Sequence, residues 1–166
     1  MSISVRPFEA HDQDQVVRLV LSIQNEEFGI PVTAAEQPDL RDVQVHYLDP
    51  GGNFWVAVSG ADVVGTIGVL KIGHGDLALR KMFVAPEYRG RAHGVGALLL
   101  DAATSWARNL GFRRMLLGTV DQFQAAQRFY QRNGFTVIAR GDLPEHFPRM
   151  RLDTVFYQLV LSPGAA

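Results

Sequence analysis

Residues 82–99 read Met82-Phe83-Val84-Ala85-Pro86-Glu87-Tyr88-Arg89-Gly90-Arg91-Ala92-His93-Gly94-Val95-Gly96-Ala97-Leu98-Leu99, a strand that passes through a glycine-rich, arginine-bearing loop into a helix. A segment of this kind can hold a phosphate chain. Gly90, Gly94 and Gly96 let backbone approach a ligand with no Cβ in the way. A helix beginning near Gly94 presents unpaired N–H groups and a partial positive charge at its N-terminus, and successive free amides form an anion-binding concavity. The loop is not a P-loop, because no Gly-Lys-Ser/Thr follows. Nor is it a dinucleotide fingerprint, because the glycine spacing differs and no later ribose-binding acid fits. Arg80, Lys81, Arg89 and Arg91 face only Glu87 between residues 80 and 93, an excess that reads either as phosphate attraction or as a solvated basic surface.

Working outward, 166 residues suit one domain with a sizeable core. A composition 47% hydrophobic and 20% charged is globular, and no apolar run approaches the roughly 20 residues that cross a bilayer. Met1-Ser2-Ile3-Ser4-Val5-Arg6-Pro7 has no charged stretch followed by an apolar core, so no signal peptide is read and a cytoplasmic location is expected. The chain has no cysteine, which excludes disulfides and thiolate metal sites. Sixteen basic and 17 acidic residues leave a net charge of −1, without the positive field of a general nucleic-acid binder. The five histidines and the acids show no zinc or calcium ligand spacing, so no metal is expected.

Ile3–Arg6 alternates as a short strand ended by Pro7, and Val16, Leu19, Val20 and Ile23 then recur at helical spacing. Residues 29–53 are the least periodic; Pro31, Pro38, Pro50, Gly51 and Gly52 confine a second helix to about Asp39–Leu48. Residues 54–58 and 63–70 flank a hairpin-like Ser59-Gly60-Ala61-Asp62, and Gly73-His74-Gly75-Asp76 turns the chain into Leu77–Val84. Val95, Leu98, Leu99, Ala102, Ala103, Trp106 and Leu110 mark a long amphipathic helix with Gly111 at its end. Arg114–Val120 reads as a strand. Asp121-x-x-Gln124 has the form of a capping box before a helix that Gly134 closes, and Phe135–Ala139 and Thr154–Leu161 supply two last strands. Residues 142–153 are too long for a tight hairpin and read as a functional loop. The order of elements implies an α/β domain around a mixed sheet.

The chain resembles the GNAT superfamily of N-acetyltransferases, whose pyrophosphate motif Gln/Arg-x-x-Gly-x-Gly/Ala appears as Arg91-Ala92-His93-Gly94-Val95-Gly96. The likeness extends upstream to Phe83-Val84-Ala85-Pro86-Glu87-Tyr88-Arg89-Gly90. Downstream it takes in Ala126-Gln127-Arg128-Phe129-Tyr130-Gln131-Arg132-Asn133-Gly134-Phe135. Against the common form Arg-Gly-x-Gly-x-Gly, the loop looks about two residues longer, with Ala92-His93 between Arg91 and Gly94. The resemblance implies a central, mostly antiparallel sheet of about six to seven strands flanked by about four helices, with Leu77–Val84 and Arg114–Val120 parallel and splayed. It implies acetyl-CoA as cofactor, held by Met82, Phe83, Val84, Arg89, Gly90, Arg91, Ala92, His93, Gly94, Val95, Gly96, Gln124, Ala126 and Phe129.

Tyr130 stands where the family commonly has a tyrosine that hydrogen-bonds the coenzyme sulfur. Its phenol, with an ordinary pKa near ~10, stays protonated at neutral pH and can donate to a leaving thiolate. The alternative is a buried aromatic, since Ala126, Phe129 and Tyr130 form an i, i+3, i+4 face. Without cysteine, transfer is expected to be direct. Several relatives carry a glutamate on the first-motif strand where this chain has Ala78, so the base is left among Glu26, Glu27, His74, Asp76, Glu145, His146 and water. Glu26, Glu27, Thr119, Glu145 and His146 are the expected substrate residues; Thr119 reads equally as an ordinary β-branched strand residue. The reading is an N-acetyltransferase acting on a small-molecule or peptide amine as monomer or homodimer, with no nucleic-acid or membrane partner. A non-catalytic acyl-CoA-binding or regulatory module and a nucleotide-binding α/β protein are the competing classes.

Overall fold

The computed structural model describes residues 2–90 and 92–161, so Arg91 and the tail from Ser162 lie outside the described residues. Among the described residues the strands form one seven-stranded mixed sheet in the order β1-β2-β3-β4-β5-β7-β6, with four α-helices. The expected sheet and helix content is therefore met. Two compact units divide the chain: residues up to Leu70 with Arg80–Ser105, and Lys71–Leu79 with residues from Trp106 onward.

In the first unit β1 (Ile3–Pro7) pairs antiparallel with β2 (Asn53–Ser59), and β2 with the start of β3 (Asp62–Gly73). Before α1 (Gln13–Leu21), Asp12 accepts the Glu9 N–H at 2.9 Å and a two-pronged Arg6 at 2.7 and 2.8 Å. Val16, Val20 and Ile23 fall on one face at helical spacing and are buried. The helix widens over Ser22–Glu27, where the Phe28 N–H reaches the Ile23 carbonyl at 3.1 Å. Phe54 sits in the core edge-on to Phe8 and Tyr47, with centroids 5.8 and 5.2 Å away.

The second helix expected over Asp39–Leu48 is broken into α2 (Pro38–Arg41) and a wide turn over Gln44–Leu48. Gln13 of α1 explains the break. Its amide donates to the Leu40 carbonyl at 2.7 Å and accepts the Val43 N–H at 3.0 Å, so both backbone groups are satisfied without helix continuation.

In the second unit β4 (Asp76–Val84) begins in parallel with β5 (Arg114–Thr119), pairing Asp76, Leu77 and Ala78 with Arg114, Met115 and Leu116. The ladder stops there although β5 runs on to Thr119. β5 then pairs antiparallel with β7 (Val155–Val160), and β7 with the short edge strand β6 (Thr136–Ile138). The long helix α3 (Val95–Asn109), which belongs to the first unit as far as Ser105, buries Val95, Leu99, Leu100, Ala103 and Ala107. The chain leaves it through Gly111, with the Phe112 N–H on the Ala107 carbonyl at 3.0 Å.

The capping box expected at Asp121 does not form. α4 (Gln124–Arg132) starts after Phe123 with no side-chain cap. The Gln127 side chain reaches back and donates to the carbonyls of Val120 at 3.0 Å and Asp121 at 3.2 Å, fixing the turn that enters the helix.

Candidate functional site

Gly94 is the hinge between loop and helix. It adopts φ +64°, open to glycine at no steric cost, and its carbonyl accepts the first helical bond, from Leu98 at 3.0 Å. The N–H groups of Val95, Gly96 and Ala97 therefore precede any acceptor in their own helix and carry its positive end. The His93 and Gly94 amides, by contrast, are spent within the loop, both on the Gly90 carbonyl at 3.3 and 3.1 Å. The His93 ring packs against Tyr88, centroids 5.7 Å apart. The structure thus divides the expected phosphate loop into amides already used and amides free of the helix. Ala92 lies exposed at its crest, and Arg91 is outside the described residues.

Arg89 is fully engaged. Its Nε donates to the Val84 carbonyl at 2.8 Å, and its two terminal nitrogens grip both carboxylate oxygens of Glu27, one of them at 2.6 Å. Its guanidinium also lies 6.0 Å from the centre of Phe28. An expected coenzyme residue and an expected substrate residue are therefore brought together. Glu26 instead accepts the Ser22 hydroxyl at 3.0 Å. Met82, Phe83 and Val84 are half-buried at the end of β4.

In the second unit, α4 presents Tyr130 on its inner side, 6% exposed. Phe129, Phe135 and Tyr157 surround the ring at centroid distances of 5.7, 5.4 and 6.2 Å. Burial raises its hydroxyl pKa further above the ordinary value, so the phenol stays protonated at any working pH. Gln124 is exposed at the first turn, and Ala126 and Phe129 are half-buried. Thr119 ends β5, buried, with its carbonyl accepting the Thr154 N–H at 2.8 Å.

His146 occupies the other end of β5. Its Nε2 lies 2.7 Å from Oδ2 of Asp76, whose side chain is fully buried, and Arg114 clamps the same carboxylate at 2.9 and 3.2 Å. Burial pushes the Asp76 carboxyl up, but the hydrogen bonds and charges of Arg114 and His146 outweigh it and hold the group below the ordinary range. With Asp76 ionised, an acceptor only, Nε2 must carry the proton of this bond. His74 stacks at a tilt on the His146 ring, centroids 4.7 Å apart. Thr119 lies five positions along β5 from Arg114, roughly 17 Å, so the expected substrate residues His146 and Thr119 are not neighbours. Within the 142–153 segment Leu143 and Phe147 are buried, Phe147 edge-on to Phe156 at 6.1 Å. Glu145 alone of its expected residues is exposed.

One cluster had no sequence signal. Lys81, in the middle of β4, has a side chain only 9% exposed that bonds Gln37 and pairs with Asp39. A lysine within an Arg-Lys pair reads as surface charge. Among the described residues no group of acids and histidines is arranged to hold a metal ion, and no helix is long and apolar enough to cross a membrane.

The sequence profile of the Acetyltransferase (GNAT) family matches residues 17–135, and the chain belongs to that family. The structure is similar to an acetyltransferase of the GNAT family from Staphylococcus aureus MU50, at a TM-score of 0.92 and 37% identity, over 97% of this chain and 100% of the other. An acetyltransferase from Streptococcus agalactiae is similar at 0.91 and 29%, over 97% and 99% of the two chains. N-acetyltransferase family 8 member 2 of Rattus norvegicus is 34% identical over 104 residues, 60% of this chain and 45% of that protein. The chain spans about half the length of the mammalian relatives it matches.

Proposed function

We propose that this protein transfers the acetyl group of acetyl-CoA directly to a primary amine. The amine lone pair attacks the thioester carbonyl carbon, the C–S bond breaks with its electron pair on sulfur, and the proton lost by the amine nitrogen passes through water to the thiolate, giving the N-acetyl amine and the CoA thiol. The observation that carries the reading is the helix start behind Gly94: three successive amides without an acceptor in their own helix, after a left-handed glycine, within the residues that match the family. Such a terminus suits the coenzyme pyrophosphate.

In this reading a backbone N–H near Val84 polarises the carbonyl. Tyr130 donates to the departing sulfur. Burial supports that role in one respect, since the hydroxyl never ionises in the working range, and limits it in another, since a weaker acid stabilises the thiolate by hydrogen bonding more than by full proton transfer. In this reading the amine's proton leaves through water: Glu27 is held by Arg89, and His146 with Asp76 lies at the end of β5 opposite Thr119. A second reading, an acyl-CoA-binding module without turnover, is favoured by the buried Ala78 at the place where several relatives carry glutamate.

Release of free thiol from acetyl-CoA across a panel of polyamines, amino acids and peptides tests both. Thiol release with any amine establishes the transferase. Tight coenzyme binding with no release across the panel favours the module.

A further inference from the structure

Lys81 adopts φ +53°, one of two non-glycine residues described with a positive φ. The other, His74, lies in the turn between β3 and β4, whereas Lys81 lies inside a strand. In the left-handed region a Cβ crowds the following carbonyl oxygen, so such a conformation persists only where its surroundings impose it. Two sets of contacts do so here. On the backbone, the Thr66 hydroxyl donates to the Lys81 carbonyl at 2.7 Å. On the side chain, the buried ammonium donates to Gln37 Oε1 at 2.8 Å and lies 3.5 Å from Asp39 Oδ2.

The acceptors are fixed in turn. Gln37 and Gln24 exchange side-chain hydrogen bonds at 2.9 and 3.2 Å. Asp39 accepts the Tyr47 hydroxyl at 2.6 Å, and Tyr47 is wholly buried against Phe54. The network ties the left-handed residue of β4 to the start of α2 and, through Tyr47, to the first unit's core. Burial lowers the lysine pKa while Asp39 opposes the loss of charge. The residues immediately beyond it are Met82, Phe83 and Val84.

We propose that Lys81 is a positioning residue: its ammonium, gripped by Gln37 and Asp39, holds β4 in the left-handed turn that sets the backbone of Met82–Val84 for acyl-CoA. The inference rests on the coenzyme reading above. Its signature is that the ammonium is needed only to impose a conformation. A residue that adopts that conformation unaided replaces it, and glycine is that residue.

The test is the CoA dissociation constant of wild type, Lys81→Ala, Lys81→Met and Lys81→Gly by titration calorimetry, with circular dichroism to establish that each is folded. Alanine and methionine are expected to weaken CoA by about tenfold or more, and glycine to restore it to within about threefold of wild type. If glycine binds as poorly as alanine, the ammonium itself meets a ligand and the proposal is overturned. If Lys81→Ala does not fold, Gln37→Leu with and without Lys81→Gly makes the same comparison. A single variant that binds CoA as wild type does, or a double variant no better than the single, overturns it. Wild-type protein without CoA affinity overturns the coenzyme reading and the role of Lys81 with it. Equal affinity in every variant overturns the role of Lys81 alone.

Discussion

Arg89 holds both carboxylate oxygens of Glu27 while its Nε caps the Val84 carbonyl, so one side chain ties the glycine loop to the end of the first helical stretch. The pair is 37% and 30% exposed. At that exposure an ion pair is worth about 0–1 kcal/mol and exchanges readily for another anion.

Glu27→Gln is therefore expected to leave the fold nearly as stable and to strengthen CoA binding, by about two- to fivefold at low salt, because Arg89 is released toward the phosphates. The gain should shrink at 0.5 M salt. Calorimetric titration at two ionic strengths checks it. A loss of affinity would show that Glu27 instead holds Arg89 in its binding pose.

CoA or acetyl-CoA at about 100 times its dissociation constant adds roughly 2.7 kcal/mol, a rise in Tm of about 5–11 °C for a domain of this size. ATP should not match it. Gly94→Val should remove most of the shift, since φ +64° disfavours a branched side chain and the helix-start amides lose their orientation. A folded Gly94→Val protein with the full shift would contradict the loop assignment.

Tyr130→Phe keeps the aromatic cluster with Phe129, Phe135 and Tyr157 and removes only the hydroxyl. Coenzyme affinity should hold within about twofold, while the chemical step slows by about 10²–10⁴. Single-turnover kinetics is the measurement, because slow product release can mask the change. An unaltered single-turnover rate returns Tyr130 to a packing role.

Asp76→Asn should cost about 3 kcal/mol, since it leaves Arg114 and His146 facing a neutral amide in a buried position. The pH dependence has a definite sign. The folded carboxyl sits below its ordinary value of 3.8, so its stabilisation is present above that pH and is lost as pH falls through the lower folded value. Asp12, held down by Arg6 against its burial, acts in the same direction. Thermal melts between pH 2.5 and 7 should show wild type losing stability below about pH 4, and Asp76→Asn losing less over that range.

Much of the fold was legible because its determinants are local. Gly94 and Gly111 bracket α3 within the heptad-like run they terminate, and the hairpin at Ser59–Asp62 needs only its own turn residues. Asp121 shows the limit of such reading. Its sequence has the capping form, yet the helix begins at Gln124: the Phe123 N–H closes a turn on the Val120 carbonyl, and the Asp121 N–H donates to the Thr154 hydroxyl, 33 residues away. The Asp39–Leu48 helix is interrupted from further away, by Gln13, which takes the Leu40 carbonyl and the Val43 N–H.

The sequence by itself determined the class of fold, the glycine loop that starts α3 and the place of Tyr130 on α4, because periodicity, turn residues and motif spacing act over neighbouring positions. Only the tertiary structure decided which charges are spent. Glu27 meets Arg89 across 62 residues, Asp76 meets His146 across 70, and Lys81 meets Gln37 across 44. Read along the chain, each is a candidate base, ligand or solvated charge. Folding brings partners together that no local window contains, and removal from water makes the pairing obligatory for Asp76 and Lys81.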